Sequence, residues 1–183
     1  AYEMGFEAYA EQNPDVVAEY LPVRHDPAAP TLTNEVTTIA AFDPDVFISM
    51  TAGNPCLLAI QEVEASGLYD RLSAAFTPSV CKGIAAYLAP AGMAADGYWI
   101  VGGGLKDTTD SGKMDEPFIA FARDLISAAG EDPGISLTGE GVMRGYAFTE
   151  AFRIADALPG GMSRTNLMLA LRNFKIYHPG LLD

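Results

Sequence analysis

The sequence predicts an α/β protein built on a parallel sheet. Asp45–Met50 is a short apolar run bounded by Pro44 and by the turn Thr51-Ala52-Gly53-Asn54. Its length and flanks suit a buried strand better than a helix. Pro55 then stands where a helix begins, with Asn54 as N-cap. Leu57, Leu58, Ile60, Gln61 and Val63 continue at helical spacing, and Gly67 closes the helix at C′. Strand, open turn and helix make one βα unit, and short apolar runs alternate with helical patterns over the first hundred residues. In such sheets ligands gather at the carboxyl ends of strands, beside helix N-termini. Thr51–Asn54 is therefore a candidate wall of a binding site; the plainer reading is a helix-capping turn.

The other elements follow in order. Tyr2, Phe6 and Tyr9 share one helical face, and that helix ends near Asn13-Pro14. Val16–Val23 reads as a strand, with Pro22 placing it toward an edge. After the Pro-rich loop Asp26–Pro30, Thr31 or Thr33 caps a helix carrying Leu32, Val36, Ile39 and Ala40. Leu72–Phe76 is a strand ended by Thr77-Pro78-Ser79, and Cys81–Tyr87 a helix bounded by Pro90 and Gly92. Gly97–Val101 is a strand, and Gly102-Gly103-Gly104 breaks it. Three amphipathic helices close the chain without strands between them: Asp115–Ala129, Gly139–Leu158 and Ser163–Phe174, the last capped by Ser163. Their stripes, with Phe118, Phe121, Tyr146 and Phe152, read as core, and so does Trp99 inside its apolar strand. The expected division is a ligand-binding subdomain over 1–104 and a crossover with helices over 105–183.

Composition narrows the function. Apolar residues make up 49% and charged residues 19% of 183 positions, which is a globular balance. The net charge of −13 opposes nucleic acid and anionic membranes, both of which need a positive field. The opening AYEMGFEAYAEQ has neither a basic nor an apolar leader region and is already in helical pattern, so the chain is expected to start inside a longer protein.

The order and spacing of these pieces resemble the second lobe of the type I periplasmic solute-binding proteins, the group that includes the leucine/isoleucine/valine-binding protein. The resemblance rests on Tyr2 with Gly5 in a helix start, a strand near Val16, and Asp43-Pro44-Asp45 before the strand Val46–Met50. The helix Pro55–Ser66 with its Gly67-Leu68 close, the crossover Gly97–Gly104 and Gly145-Tyr146-Ala147 in a first-lobe helix complete it. It implies a three-layer αβα lobe plus helices belonging to the other lobe. The implied function is a two-lobed clamp, periplasmic or extracellular and lipid-anchored in the intact protein. Such a clamp closes on a small polar solute, an amino acid or related compound, and delivers it to the permease of an ABC importer, without a cofactor. A ligand-sensing receptor ectodomain of the same fold is the alternative.

Carried over by position, the implied ligand-binding residues are Tyr2, Thr51, Ala52, Gly53, Asn54, Thr77 and Ser79; Tyr2 reads equally well as a half-buried helix residue. Branched-chain amino-acid binders present an aromatic near Ala52 and an acid near Thr77. This chain has neither, which points away from a ligand ammonium. Small polar groups at helix N-termini suit neutral or anionic groups. Cys56 and Cys81 follow neighbouring strands, and an even count in an exported protein suits a disulfide. It would close a loop of about 26 residues, worth roughly 3 kcal/mol in the chain-entropy model; the alternative is two buried thiols. An enzyme is the rival class, but His25 and His178 lie in a Pro-rich loop and a tail, no G-x-S-x-G elbow exists, and no cluster has metal spacing. Gly102-Gly103-Gly104 lacks the Lys-Ser/Thr of a phosphate loop. The terminal helices, stripped of the sheet they cover in the family, are expected to bury their faces against a separate segment or a second copy.

Overall fold

Asp43–Leu68 folds as strand, turn and helix, and the rest of its neighbourhood is laid against it. The computed structural model describes residues 2–102 and 104–182; Gly103 of the glycine triplet lies outside the described residues. Two compact units form, Ala1–Lys82 with Ala86–Gly103, and Gly83–Ala85 with Gly104–Asp183.

The first unit holds α1 (Tyr2–Gln12), α2 (Thr33–Phe42), β1 (Val46–Ile48), α3 (Asn54–Ala65), β2 (Ala74–Pro78) and β3 (Trp99–Val101). The strands make one parallel sheet in the order β1-β2-β3. Phe47 pairs with Ala75, and Thr77 with Ile100. Paired residues share a face and successive residues alternate. Phe47 and Ala75 thus meet Leu32 and Val36 at the start of α2, Ala59 and Val63 from α3, and Leu68 in one buried cluster. Right-handed crossovers between successive parallel strands put their connections on one face. The opposite face presents Val46, Ile48, Met50, Trp99 and Val101, all exposed. The described residues thus supply two layers of the three expected. Trp99, expected in the core, is 66% exposed: β3 is an edge strand, and Ile100 and Val101 are exposed with it.

Several boundaries differ from expectation for local reasons. Val16–Val23 forms no strand: Val16 and Val17 close a turn on the Asn13 carbonyl, Ala18 lies in a bend, and no described strand pairs with the segment. α1 lies along it through an edge-on contact of Phe6 with Tyr20 at 5.7 Å, and Arg24 just beyond grips Glu3 at 2.9 and 3.2 Å. Neither Thr31 nor Thr33 caps α2. Leu32 holds the cap position, and its N–H donates to Glu62 Oε1 of α3 at 2.7 Å. β2 runs two residues later than expected and takes in Thr77 and Pro78. The helix expected over Cys81–Tyr87 is a broken run of 3-10, π and α turns reaching Ala95, with Pro90 inside a turn where its missing N–H is no loss. Tyr69 and Tyr98 stack at 5.3 Å, and burial pushes both phenols above their usual range.

The second unit carries α4 (Pro117–Ala128), α5 (Ser136–Ala157) and α6 (Arg164–Asn173). Ser163 caps α6 as expected, its Oγ accepting from the Asn166 N–H at 3.1 Å. α4 starts after Glu116 rather than at Asp115, and α5 starts three residues before Gly139. Phe118, Ile119 and Met143 form the core, joined by Leu105 and Tyr146. Phe121 and Phe152, expected in the core, are exposed, because each stripe is wider than the contact one neighbouring helix provides. Asp107 accepts the Ile84 N–H at 2.9 Å. His178 is a packing residue: the Gly180 N–H donates to its Nδ1 at 3.1 Å, so Nε2 carries the proton and donates to the Met143 carbonyl at 2.8 Å.

Candidate functional site

The candidate site lies at the carboxyl edge of the sheet in the first unit. β1 and β2 are neighbours running the same way, and the Ser49 N–H donates to the Phe76 carbonyl at 2.8 Å, one step past the ladder. The loops that follow them, Thr51–Asn54 and the turn Ser79–Cys81, therefore leave the sheet side by side. Cys56 and Cys81 join them covalently, with Cα atoms 5.4 Å apart.

Beneath the loops sits a small polar cluster. Ser49 and Thr51 are buried, and their hydroxyls lie 2.7 Å apart. The Thr51 hydroxyl also stands 3.5 Å from the Cys81 sulfur. That sulfur approaches the Thr51 carbonyl at 3.4 Å, a packing contact, because a bridged sulfur has no proton to donate. Thr77, the neighbour of Ser49 if the register is continued, is 1% exposed, and its hydroxyl has no hydrogen-bond partner among the described residues. An unpaired buried hydroxyl costs about 1–3 kcal/mol of desolvation.

α3 opens differently from the sequence expectation. Gly53, not Asn54, holds the cap position, at φ 68° and ψ −145°, and it offers no capping side chain. A Cβ there would meet nothing within 4 Å, so the backbone conformation rather than crowding calls for glycine. Pro55 has no N–H, and the Cys56 N–H closes the turn on the Gly53 carbonyl at 3.0 Å. The Asn54 main-chain N–H keeps no acceptor among the described residues. An open helix N-terminus with an exposed Asn54 can receive a neutral or anionic group.

The expected residues divide accordingly. Thr51, Ala52, Gly53, Asn54, Thr77 and Ser79 lie on the two neighbouring loops or the strand end beneath them, with Ala52, Gly53 and Asn54 exposed and Ser79 half-buried. Tyr2 is exposed at the start of α1 and shares no hydrogen bond or ring contact with these loops among the described residues. Gly102, just past β3, joins the rim unforeseen: a Cβ on it would lie 4.0 Å from the Ser79 hydroxyl. Its glycine after an apolar strand was visible, but its nearness to Ser79 depends on strand order. None of these rim residues is ionisable. Among the described residues no cluster of His, Cys, Asp or Glu could hold a metal ion, and no helix is long and apolar enough to cross a membrane.

No family model and no curated protein matches the sequence. A similar solved structure is an extracellular ligand-binding receptor from Rhodopseudomonas palustris, with TM-score 0.52 and 16% identity. The match covers 79% of this chain and 40% of the receptor chain. At that identity the likeness is one of fold, and this chain spans less than half of the receptor's length.

Proposed function

We propose that this chain supplies one jaw of a solute-binding protein that works outside the cytoplasm, in the periplasm or extracellularly. The observation that carries the reading is the convergence of Thr51, Gly53, Asn54, Thr77 and Ser79 at one edge of a parallel sheet, with Gly102 beside them. Strand-end loops of such sheets are where ligands bind. Sharing a fold with an extracellular ligand-binding receptor supports the same reading. The solute is small and polar, neutral or anionic where it meets α3, because the rim offers amides and hydroxyls and no carboxylate for an ammonium. An amide or a small carboxylate fits this chemistry better than an amine.

Within this reading the intact protein is a lipid-anchored component of an ABC importer and hands its solute to the permease. A sensing ectodomain is the second reading, supported by the shared fold with a ligand-binding receptor. Binding is preferred over catalysis because His178 is committed to packing through both ring nitrogens and the rim carries no nucleophile–base pair.

A thermal-shift screen of the protein against amino acids, amides, small carboxylates and aromatics tests this. A bound solute at 100 times its Kd stabilises by about 2.7 kcal/mol. Stabilisation by amides or carboxylates and not by simple amines is expected. Selective stabilisation by amines would overturn the solute class, and a screen without any hit would count against binding.

A further inference from the structure

Beyond the rim residues the structure carries an exposed sheet face around Trp99, the His178 packing site, and the disulfide at the rim. Only the disulfide is tied to the candidate site by several independent contacts.

Cys56 is the third residue of α3, and Cys81 ends the turn after β2; both are fully buried. The bridge therefore fastens the open helix N-terminus on one side to the Ser79 loop on the other. Thr51 meets the second loop through the Cys81 sulfur, which lies 3.5 Å from its hydroxyl and packs against its carbonyl at 3.4 Å. Beyond Cys81 the Ile84 N–H donates to Asp107 at 2.9 Å and the Ala85 N–H to Thr109 at 3.3 Å. The turns over Ile84–Leu88, Ala89–Ala91 and Gly92–Ala95 contain no buried residue. The cysteines also stand apart from the cluster that holds the sheet to its helices, which is built from Leu32, Val36, Phe47, Ala59, Val63, Leu68 and Ala75.

We propose that the Cys56–Cys81 bridge is the positioning element of the binding site. It fixes the spacing between Thr51–Asn54 and the Ser79 loop, so the rim has its binding form only when the bridge is oxidised. This rests on the function proposed above and adds to it that solute binding is confined to oxidising compartments. Breaking the bridge releases the two loops from each other and leaves the core cluster packed. Local opening of this kind is separable from global unfolding by amide exchange.

The experiment compares amide exchange by NMR in oxidised protein, in protein treated with dithiothreitol, and in a Cys56→Ala/Cys81→Ala variant. Dithiothreitol delivers two electrons and two protons to the bridge, leaving two thiols and the cyclic disulfide of the reagent. The variant covers the case in which the reagent does not reach the buried sulfurs. The expected result is exchange faster by at least roughly tenfold at Thr51–Asn54 and Ser79–Lys82, with Phe47, Val63 and Ala75 retaining their protection. Reoxidation should restore the original pattern. Equal acceleration at all these sites, or a variant that does not fold, would make the bridge a staple of the whole unit and overturn the proposal. Unchanged exchange at both loops would overturn it too. The readout needs no solute, so a failed solute screen and a failed exchange experiment are told apart.

Discussion

Gly139→Ala sets two expectations of opposite sign against each other. Gly139 is buried in α5, and helix propensity alone says that alanine there gains about 0.5–1 kcal/mol. The packing says otherwise. A Cβ at this position would lie 1.9 Å from Thr108 Oγ1, 2.6 Å from its Cγ2 and 2.7 Å from its Cβ. Thr108 is itself fully buried, so it cannot swing into solvent. Overpacking of this kind costs about 1–3 kcal/mol. Taking the two together, Gly139→Ala should lose about 1–2 kcal/mol. Gly141 and Gly145 on the same helix are the controls, since a Cβ on either meets nothing within 4 Å. Gly141→Ala and Gly145→Ala should each gain about 0.5–1 kcal/mol. Urea denaturation followed by helical circular dichroism reads all three, with an unchanged slope confirming that stability alone has moved. Thr108→Ala in the Gly139→Ala background should recover part of the loss, a coupling of about 1 kcal/mol in a double-mutant cycle. If Gly139→Ala stabilises the protein as the controls do, the docking of α5 on the 107–109 loop is wrong.

Thr77→Val should raise stability by about 1 kcal/mol, because it replaces a buried hydroxyl that has no partner among the described residues by a methyl of similar size; a thermal melt checks it, and a loss of stability would mean the hydroxyl has a partner. Glu62→Ala removes the acceptor of the Leu32 N–H and should cost about 1–3 kcal/mol, read by chemical denaturation and spared by Glu62→Gln, whose side-chain oxygen can still accept. Hydrogen bonds from Arg24 hold the Glu3 carboxyl below the usual glutamate range. A lowered carboxyl stabilises above its unfolded value and loses that effect as the pH falls through its folded value. The packing of α1 on Tyr20 should therefore weaken under acid, and Glu3→Gln should remove that pH dependence from the Tyr20 side-chain NMR signals.

The βα unit at the centre was legible because its signals are local. Pro55 marks the helix start and Gly67, at φ 69°, its end, while an apolar run too short for a helix precedes them. Ser163 was equally local. The disulfide was legible from the order of strands and turns, since parallel neighbours bring their following loops together. What failed depends on distant partners. Val16–Val23 has strand composition, but a strand is a statement about pairing. Trp99 sits in an apolar strand, yet strand composition does not say which face is covered. Phe121 and Phe152 belong to genuine stripes that exceed the contact their neighbours make. At the site, the turn and its residue types were readable. The cap at Gly53, the unpaired Thr77 hydroxyl and the approach of Gly102 to Ser79 are set by three-dimensional packing and have no local signature.

The central claim is that solute binds where the loops after β1 and β2 leave the sheet. Amide NMR mapping of a titration with the best stabilising solute tests it most directly. The account predicts that the largest shifts fall on Thr51–Asn54, Thr77, Ser79 and Gly102, and that Asn54→Ala with Ser79→Ala abolishes them while the Phe47, Val63 and Ala75 signals stay in place. Saturable shifts centred elsewhere, with these residues silent and the double variant binding as well as the parent, would contradict it.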